Sequence, residues 1–106
     1  MTKENNLQEL QIIEQGLQGI LYQKQAFQME ISETQTALKE IEKSGEEVFK
    51  IVGQLMIKTD KKILKQELEK KQKLLGLRIE SLEKQENELS GKAEKLQKEL
   101  VKNIKK

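Results

Sequence analysis

Residues 46–58 read EEVFKIVGQLMIK, and this short stretch decides how the rest of the chain is interpreted. Seven of the eleven residues from Val48 to Lys58 are large and apolar. Elsewhere the sequence is dominated by Lys, Glu, Gln and Leu, which is typical of long helices and coiled coils. A central apolar segment with β-branched residues around a glycine therefore needs an explanation of its own.

The composition limits what kind of protein this can be. The chain has 106 residues, of which 36% are charged and 3% aromatic, and it contains no Pro, Trp, Cys or His. So few bulky side chains cannot build a compact core that is stable alone. The net charge is +2 with both signs interleaved, so nothing indicates a nucleic-acid surface. Without cysteines, a signal peptide or a membrane-length apolar run, we expect a cytoplasmic protein.

A first heptad run extends from Leu10 to Ile41 with alternating spacings of three and four residues. Ten positions continued over more than four heptads predict a coiled-coil helix. Ser44 and Gly45 are expected to end this helix, since glycine commonly follows a helix C-terminus. Eight of the ten positions are apolar, and the set is Leu10, Ile13, Leu17, Ile20, Lys24, Phe27, Ile31, Thr34, Leu38 and Ile41.

A second run follows Thr59 and Asp60, either of which can cap a helix N-terminus. Leucines recur there at intervals of seven, with weaker positions between them. The members are Leu68, Gln72, Leu75, Ile79, Leu82, Glu86, Leu89, Ala93, Leu96 and Leu100.

The two runs match if the helices are antiparallel and facing residue numbers sum to 106. Thr34 then lies opposite Gln72, and a polar layer of this kind can fix the register of a coil. The centre of the arrangement is Gly53, inside the stretch quoted above. The sequence therefore predicts a helical hairpin whose reversal lies at that segment.

The apolar segment itself predicts a β-hairpin. Phe49, Ile51, Leu55 and Ile57 share one parity on either side of Gly53, which indicates a single fully apolar face. An apolar loop that closes the end of the coil is the alternative. A lone hairpin is marginal in water and has two free edges, so other chains are expected to complete the sheet. The predicted assembly residues are Val48, Phe49, Ile51, Val52, Gly53, Leu55, Met56 and Ile57.

The residue types argue against catalysis. There is no His or Cys, no glycine-rich phosphate loop and no Ser beside a plausible base. Glu and Lys pairs are abundant, but at helical spacing they are ordinary surface pairs. We expect no catalytic residues, no metal site and no cofactor.

Three segments resemble the prefoldin β-type subunit, in an archaeal-like form. VFKIVGQLMIK (48–58) is similar to the family's hairpin, QKQAFQMEISETQTALKEI (23–41) to its first helix, and RIESLEKQENEL (78–89) to its second. The insert has room for one hairpin, which favours β-type over α-type subunits. The expected fold is mainly α, a long antiparallel two-helix coiled coil joined by a single β-hairpin that completes an intersubunit β-barrel. One domain, 1–106, would hold a helix at about 5–44, the hairpin at about 47–58 and a helix at about 60–105.

The resemblance also implies a function. Prefoldin subunits form a hetero-hexamer of α-type and β-type chains, whose coils hold unfolded polypeptides at their ends. The complex hands them to a group II chaperonin without ATP. The alternative is a structural coiled-coil tether or scaffold with a central docking patch.

Apolar residues outside the seam near the chain ends are the candidate client-binding groups, since exposed apolar clusters usually mark interaction sites. Seam residues beside them would join if the ends fray. The full set is Leu7, Leu10, Ile12, Ile13, Leu96, Leu100, Val101 and Ile104. Similar off-seam residues occur in mid-coil, so the set could also simply close the coil. Gly16, Gly19 and Gly91 would either soften the coil near these ends or be glycines that are simply tolerated on the surface.

Overall fold

The computed structural model describes residues 3–105, with the side chains of 4–102. It contains helix α1 (Lys3–Lys43), strand β1 (Glu47–Val52), strand β2 (Leu55–Asp60) and helix α2 (Lys61–Lys105). The two strands form one antiparallel hairpin. The predicted fold of two long helices joined by a single hairpin is confirmed, and the alternative of an apolar loop is wrong.

The two heptad runs define the buried faces of both helices. All twenty predicted seam positions are buried or half-buried, whereas most positions between them are exposed. This follows because residues three and four apart share one face of a helix. Five apolar side chains of α2 are buried along its seam, namely Leu75, Leu82, Ala93, Leu96 and Leu100.

The chain divides into two compact units. The hairpin unit is Phe27–Arg78, and the terminal unit comprises residues 3–26 and 79–105. In the terminal unit a buried core forms from three layers of the predicted register. Its members are Ile13, Ala93 and Leu96, with Leu10, Leu17 and Leu89 packed against them.

Side chains close the helix ends that flank the hairpin. Asp60 caps α2, since its Oδ1 accepts a hydrogen bond from the Lys62 backbone N–H at 3.0 Å. At the end of α1, the Ser44 N–H and hydroxyl both donate to the Ile41 carbonyl. Gly45 follows the helix as predicted, but without the left-handed conformation common at such glycines.

The hairpin turn consists of Gly53 and Gln54, between the paired residues Val52 and Leu55. Gly53 has a φ of 61°, and Gln54 is not in the positive region. A positive φ at the first central residue alone is the signature of a type II′ turn, which favours glycine there. The central glycine noticed in the sequence therefore makes the chain reversal.

The predicted assignment of side chains to hairpin faces is wrong in the second strand. Directly paired residues of an antiparallel ladder lie on the same face, and Ile51 pairs with Met56 while Lys50 pairs with Ile57. Because the turn has two residues, each even-numbered residue pairs with an odd-numbered one across the ladder. Even-numbered residues of β1 therefore share a face with odd-numbered residues of β2. One face carries Glu47, Phe49, Ile51, Met56, Lys58 and Asp60; the other carries Val48, Lys50, Val52, Leu55, Ile57 and Thr59.

Polar seam residues are satisfied in different ways. The Thr34 hydroxyl donates to the Glu30 carbonyl at 2.7 Å, so its single proton is used within α1 rather than toward Gln72. In the terminal unit, Lys24 Nζ lies 3.2 Å from Glu86 Oε1. The seam charge at Glu86, predicted to face Ile20, is therefore paired with a seam lysine.

An ion pair in the hairpin unit joins α1 to the start of α2. Glu42 Oε1 lies 2.6 Å from Lys65 Nζ. The hydrogen bond from Lys65, and then its charge, lower the pKa of Glu42, and the same contact raises the pKa of Lys65. Arg78, the only arginine, lies with its guanidinium 5.8 Å from the centre of the Phe27 ring.

Candidate interaction surfaces

The hairpin presents apolar side chains to solvent on both of its faces. Ile51 is 73% exposed on one face, and Phe49 and Met56 beside it are exposed as well. Val52, Leu55 and Ile57 are exposed on the other. The prediction of a single apolar face is wrong, because the turn places part of the apolar set on each side. Strands with apolar residues on both faces are typical of sheets that are covered on both sides.

The base of the hairpin is anchored by Val48 and by charges. Val48, predicted as an assembly residue, is 8% exposed and already buried within its own chain. Lys50 Nζ reaches Glu67 Oε2 of α2 at 3.4 Å, and Lys58 Nζ reaches Glu47 Oε1 across the strands at 2.9 Å. Charged residues therefore surround the base, while the apolar residues concentrate near the turn.

Each strand also offers one unpaired edge. The sheet has two strands among the described residues, so each strand is hydrogen-bonded on one side only. An exposed strand edge presents free N–H and C=O groups that can pair with another strand. Edges and apolar faces together make the hairpin an interaction surface for further strands.

The second candidate surface lies in the terminal unit. Leu7, Ile12 and Val101 are exposed, with Ile12 at 67%. Leu10 is half-buried, and Ile13, Leu96 and Leu100 are buried in the seam. The side chain of Ile104 lies outside the described residues. The structure thus separates the predicted set into outward-facing residues and seam residues that are covered in the closed coil.

Exposure alone does not single out the chain ends. The mid-coil apolar residues Leu21, Tyr22, Met29, Leu74 and Leu77 are exposed to a similar degree. What distinguishes the exposed residues near the chain ends is the buried apolar cluster beside them in the terminal unit. A local opening there would enlarge the apolar surface.

Two polar features of the terminal unit were not recognised from the sequence. Asn6 is buried, and Lys24 pairs with Glu86. The spacing from Leu10 to Asn6 is four residues, so continuing the heptad run backwards would have placed Asn6 in the seam. The pairing of Lys24 with Glu86 had no comparable signal, since the two lie in neighbouring layers of the predicted register.

No group of three or more His, Cys, Asp or Glu side chains could hold a metal ion in the part of the chain that the structure describes. Within the same residues, neither helix has an apolar stretch suited to crossing a membrane.

The sequence is similar to known β subunits over most of its length. A profile of the family described as Prefoldin subunit matches residues 4–106. Prefoldin subunit beta of Thermococcus onnurineus (strain NA1) is 41% identical over 92 residues, which are 85% of this chain and 79% of that protein. Prefoldin subunit beta of Methanothrix thermoacetophila is 34% identical over 103 residues, 95% of this chain and 86% of that protein.

The fold is similar to a solved structure as well. The crystal structure of the prefoldin beta subunit from Thermococcus strain KS-1 matches with a TM-score of 0.88 and 34% sequence identity. The match covers 98% of this chain and 93% of that chain. Family profile, relatives and structure therefore agree that this chain belongs to the prefoldin family of chaperones, among its β-type subunits.

Proposed function

We propose that this chain is a subunit of an ATP-independent holdase that captures non-native polypeptides at the terminal unit. The exposure of Leu7, Ile12 and Val101 beside a buried apolar cluster carries the proposal. A holdase needs apolar surface that stays accessible to unfolded chains, because such chains expose their own apolar side chains. Lys98 and Lys102 are exposed charged neighbours of this surface, which favours a carrier that stays in solution.

The hairpin supports assembly. Its apolar side chains on both faces and its free edges suit strand pairing with an α-type subunit and with further copies of this chain. We expect a hetero-hexamer in which the hairpins form β-barrels. The captured polypeptide then passes to a group II chaperonin in the cytoplasm, as the family membership suggests.

Substituting the exposed residues tests client capture directly. In the variant Leu7→Ser, Ile12→Ser, Val101→Ser, all three side chains point outward, so the fold should persist. The measurement is light scattering from a chemically unfolded model protein that aggregates on dilution without ATP. We expect the concentration needed for half-suppression to rise at least about fivefold, since about 1 kcal/mol of burial is lost.

A matched control carries Met29→Ser, Leu74→Ser and Leu77→Ser, which remove similarly exposed apolar groups from the helices of the hairpin unit. This control should suppress aggregation like the unmodified chain. Equal losses in both variants would contradict a site at the terminal unit.

The alternative function, a tether with a central docking patch, makes the opposite prediction for truncation. A chain lacking residues 1–13 and 96–106 keeps the hairpin, so a tether would retain its binding. A holdase of the proposed kind would lose capture. Undiminished suppression of aggregation by the truncated chain would overturn the proposal.

A further inference from the structure

Asn6 is a polar residue inside the seam of the terminal unit. It lies four residues before Leu10, so it continues the heptad run of α1, and its side chain is 3% exposed. In the register that the core cluster supports, its level corresponds to Leu100, which is also buried. The last described layer of the coil is therefore half polar.

The Asn6 Oδ1 atom is buried and accepts no hydrogen bond from any residue that the structure describes. A buried acceptor without a donor has lost its hydrogen bonds to water and has no hydrogen bond within the protein to replace them. If this end of the coil opens, water restores the lost hydrogen bonds. The unpaired Oδ1 atom therefore lowers the free energy of the open coil end relative to the closed one.

The other polar seam residues of the terminal unit behave differently. Lys24 and Glu86 pair at 3.2 Å, which favours the closed coil at that level. A buried asparagine can fix the register of a coil when it meets a polar partner, but Leu100 offers none. Asn6 therefore destabilises the closed coil without fixing its register.

We propose that Asn6 is a positioning residue that biases the end of the terminal unit toward opening, so that seam residues become accessible to client. Opening near Asn6 uncovers Leu10 and Leu100 and joins them to the outward-facing Leu7 and Val101. This inference rests on the proposed holdase function, and it assigns the control of that surface to one side chain.

The test removes the unpaired Asn6 Oδ1 atom while leaving the exposed surface intact. Asn6→Leu fills the seam layer with an apolar side chain, and Asn6→Ala removes the amide without adding bulk. Asn5→Leu and Asn5→Ala are matched controls, because Asn5 is an adjacent exposed asparagine with the same helix propensity. All four are made in the full chain and studied with an α-type subunit.

Amide hydrogen exchange across residues 7–17 is the first measurement. Both Asn6 variants should raise protection at least about fivefold over the matching Asn5 variant, because the closed state no longer buries an unsatisfied acceptor. Protection that rises equally in the Asn5 and Asn6 variants would not come from the buried Asn6 acceptor and would overturn the inference.

Aggregation suppression is the second measurement. Asn6→Leu should raise the half-suppressing concentration about twofold to fivefold, while Asn5→Leu should not. Increased protection with unchanged suppression would also overturn the inference.

The serine variant of Leu7, Ile12 and Val101 separates the two proposals. If that variant retains capture, the holdase surface is wrong; if it loses capture while Asn6→Leu does not, only the role of Asn6 is wrong.

Discussion

At the scale of single residues, polar side chains in an apolar seam have three different outcomes. Thr34 bonds to a carbonyl of its own helix, Lys24 pairs with Glu86, and the Asn6 Oδ1 atom remains without a donor among the described residues. The seam of a coil tolerates each type at a different cost, because burial penalises unpaired groups most and paired groups less. Residue type alone does not reveal which outcome occurs.

The Lys24–Glu86 pair predicts an asymmetric effect of mutation. Glu86→Gln leaves Lys24 without its countercharge in a half-buried position, and we expect a loss of about 1 kcal/mol in the free energy of unfolding. Replacing both by leucine should restore or increase stability, since the seam becomes continuous. Denaturant unfolding followed by circular dichroism, at one protomer concentration, measures both.

The exposed pair Glu94 and Lys98, 3.5 Å apart on α2, provides the control. Glu94→Gln should change stability by less than about 0.5 kcal/mol, because exposed pairs are screened by solvent. If Glu86→Gln were no more destabilising than Glu94→Gln, the seam pair would have no structural role.

At the scale of elements, the helices contain glycines with room for a side chain. A Cβ built at Gly16 would lie 3.5 Å from Leu89 Cδ1, an ordinary contact, and at Gly19 and Gly91 it would meet nothing within 4 Å. Packing therefore does not require these glycines. Their effect is to lower helix propensity in the terminal unit.

The triple variant Gly16→Ala, Gly19→Ala, Gly91→Ala should accordingly stiffen the terminal unit. Each substitution is expected to contribute up to about 1 kcal/mol to helix stability, so the free energy of unfolding should rise by about 2–3 kcal/mol. Thermal unfolding and hydrogen exchange across residues 5–20 measure the change. Unchanged protection there would show that the glycines do not soften this end of the coil.

At the scale of the whole molecule, no described part of the chain covers the exposed apolar side chains of the hairpin. Ile51, Phe49 and Met56 face solvent on one side, and Val52 and Leu55 on the other. A lone two-stranded hairpin is marginally stable in water, and a chain that has no other described strand cannot complete the sheet. Other chains are the natural source of the missing strands.

Ile51→Lys is predicted to weaken assembly without unfolding the subunit. The side chain is exposed, so a lysine costs little in the single chain but introduces repeated charges into a shared sheet. We expect association to weaken at least about tenfold, which corresponds to 1.4 kcal/mol. Light scattering coupled to size-exclusion chromatography, with an α-type subunit present, measures the mass of the assembly.

The control is Met29→Lys, which changes an exposed apolar residue of α1. Wild-type mass for Ile51→Lys would contradict the role of the hairpin.

Sequence periodicity was sufficient for everything that depends on one element at a time. The seam positions, a cap at Thr59 or Asp60 and the turn at Gly53 follow from local spacing and residue type. The structure agrees with each and selects Asp60 as the cap. A heptad pattern is a property of a single helix, so it can be read before any partner is known.

Relations between elements were decided only by the tertiary structure. The two-residue turn sets which side chains of β2 share a face with Ile51, and a difference of one residue in turn length reverses the answer. Likewise, Glu86 meets Lys24 from a neighbouring layer, because long side chains reach beyond the residue that a register assigns to them. The burial of Asn6 depends on both helices closing around it, a property that neither helix has alone.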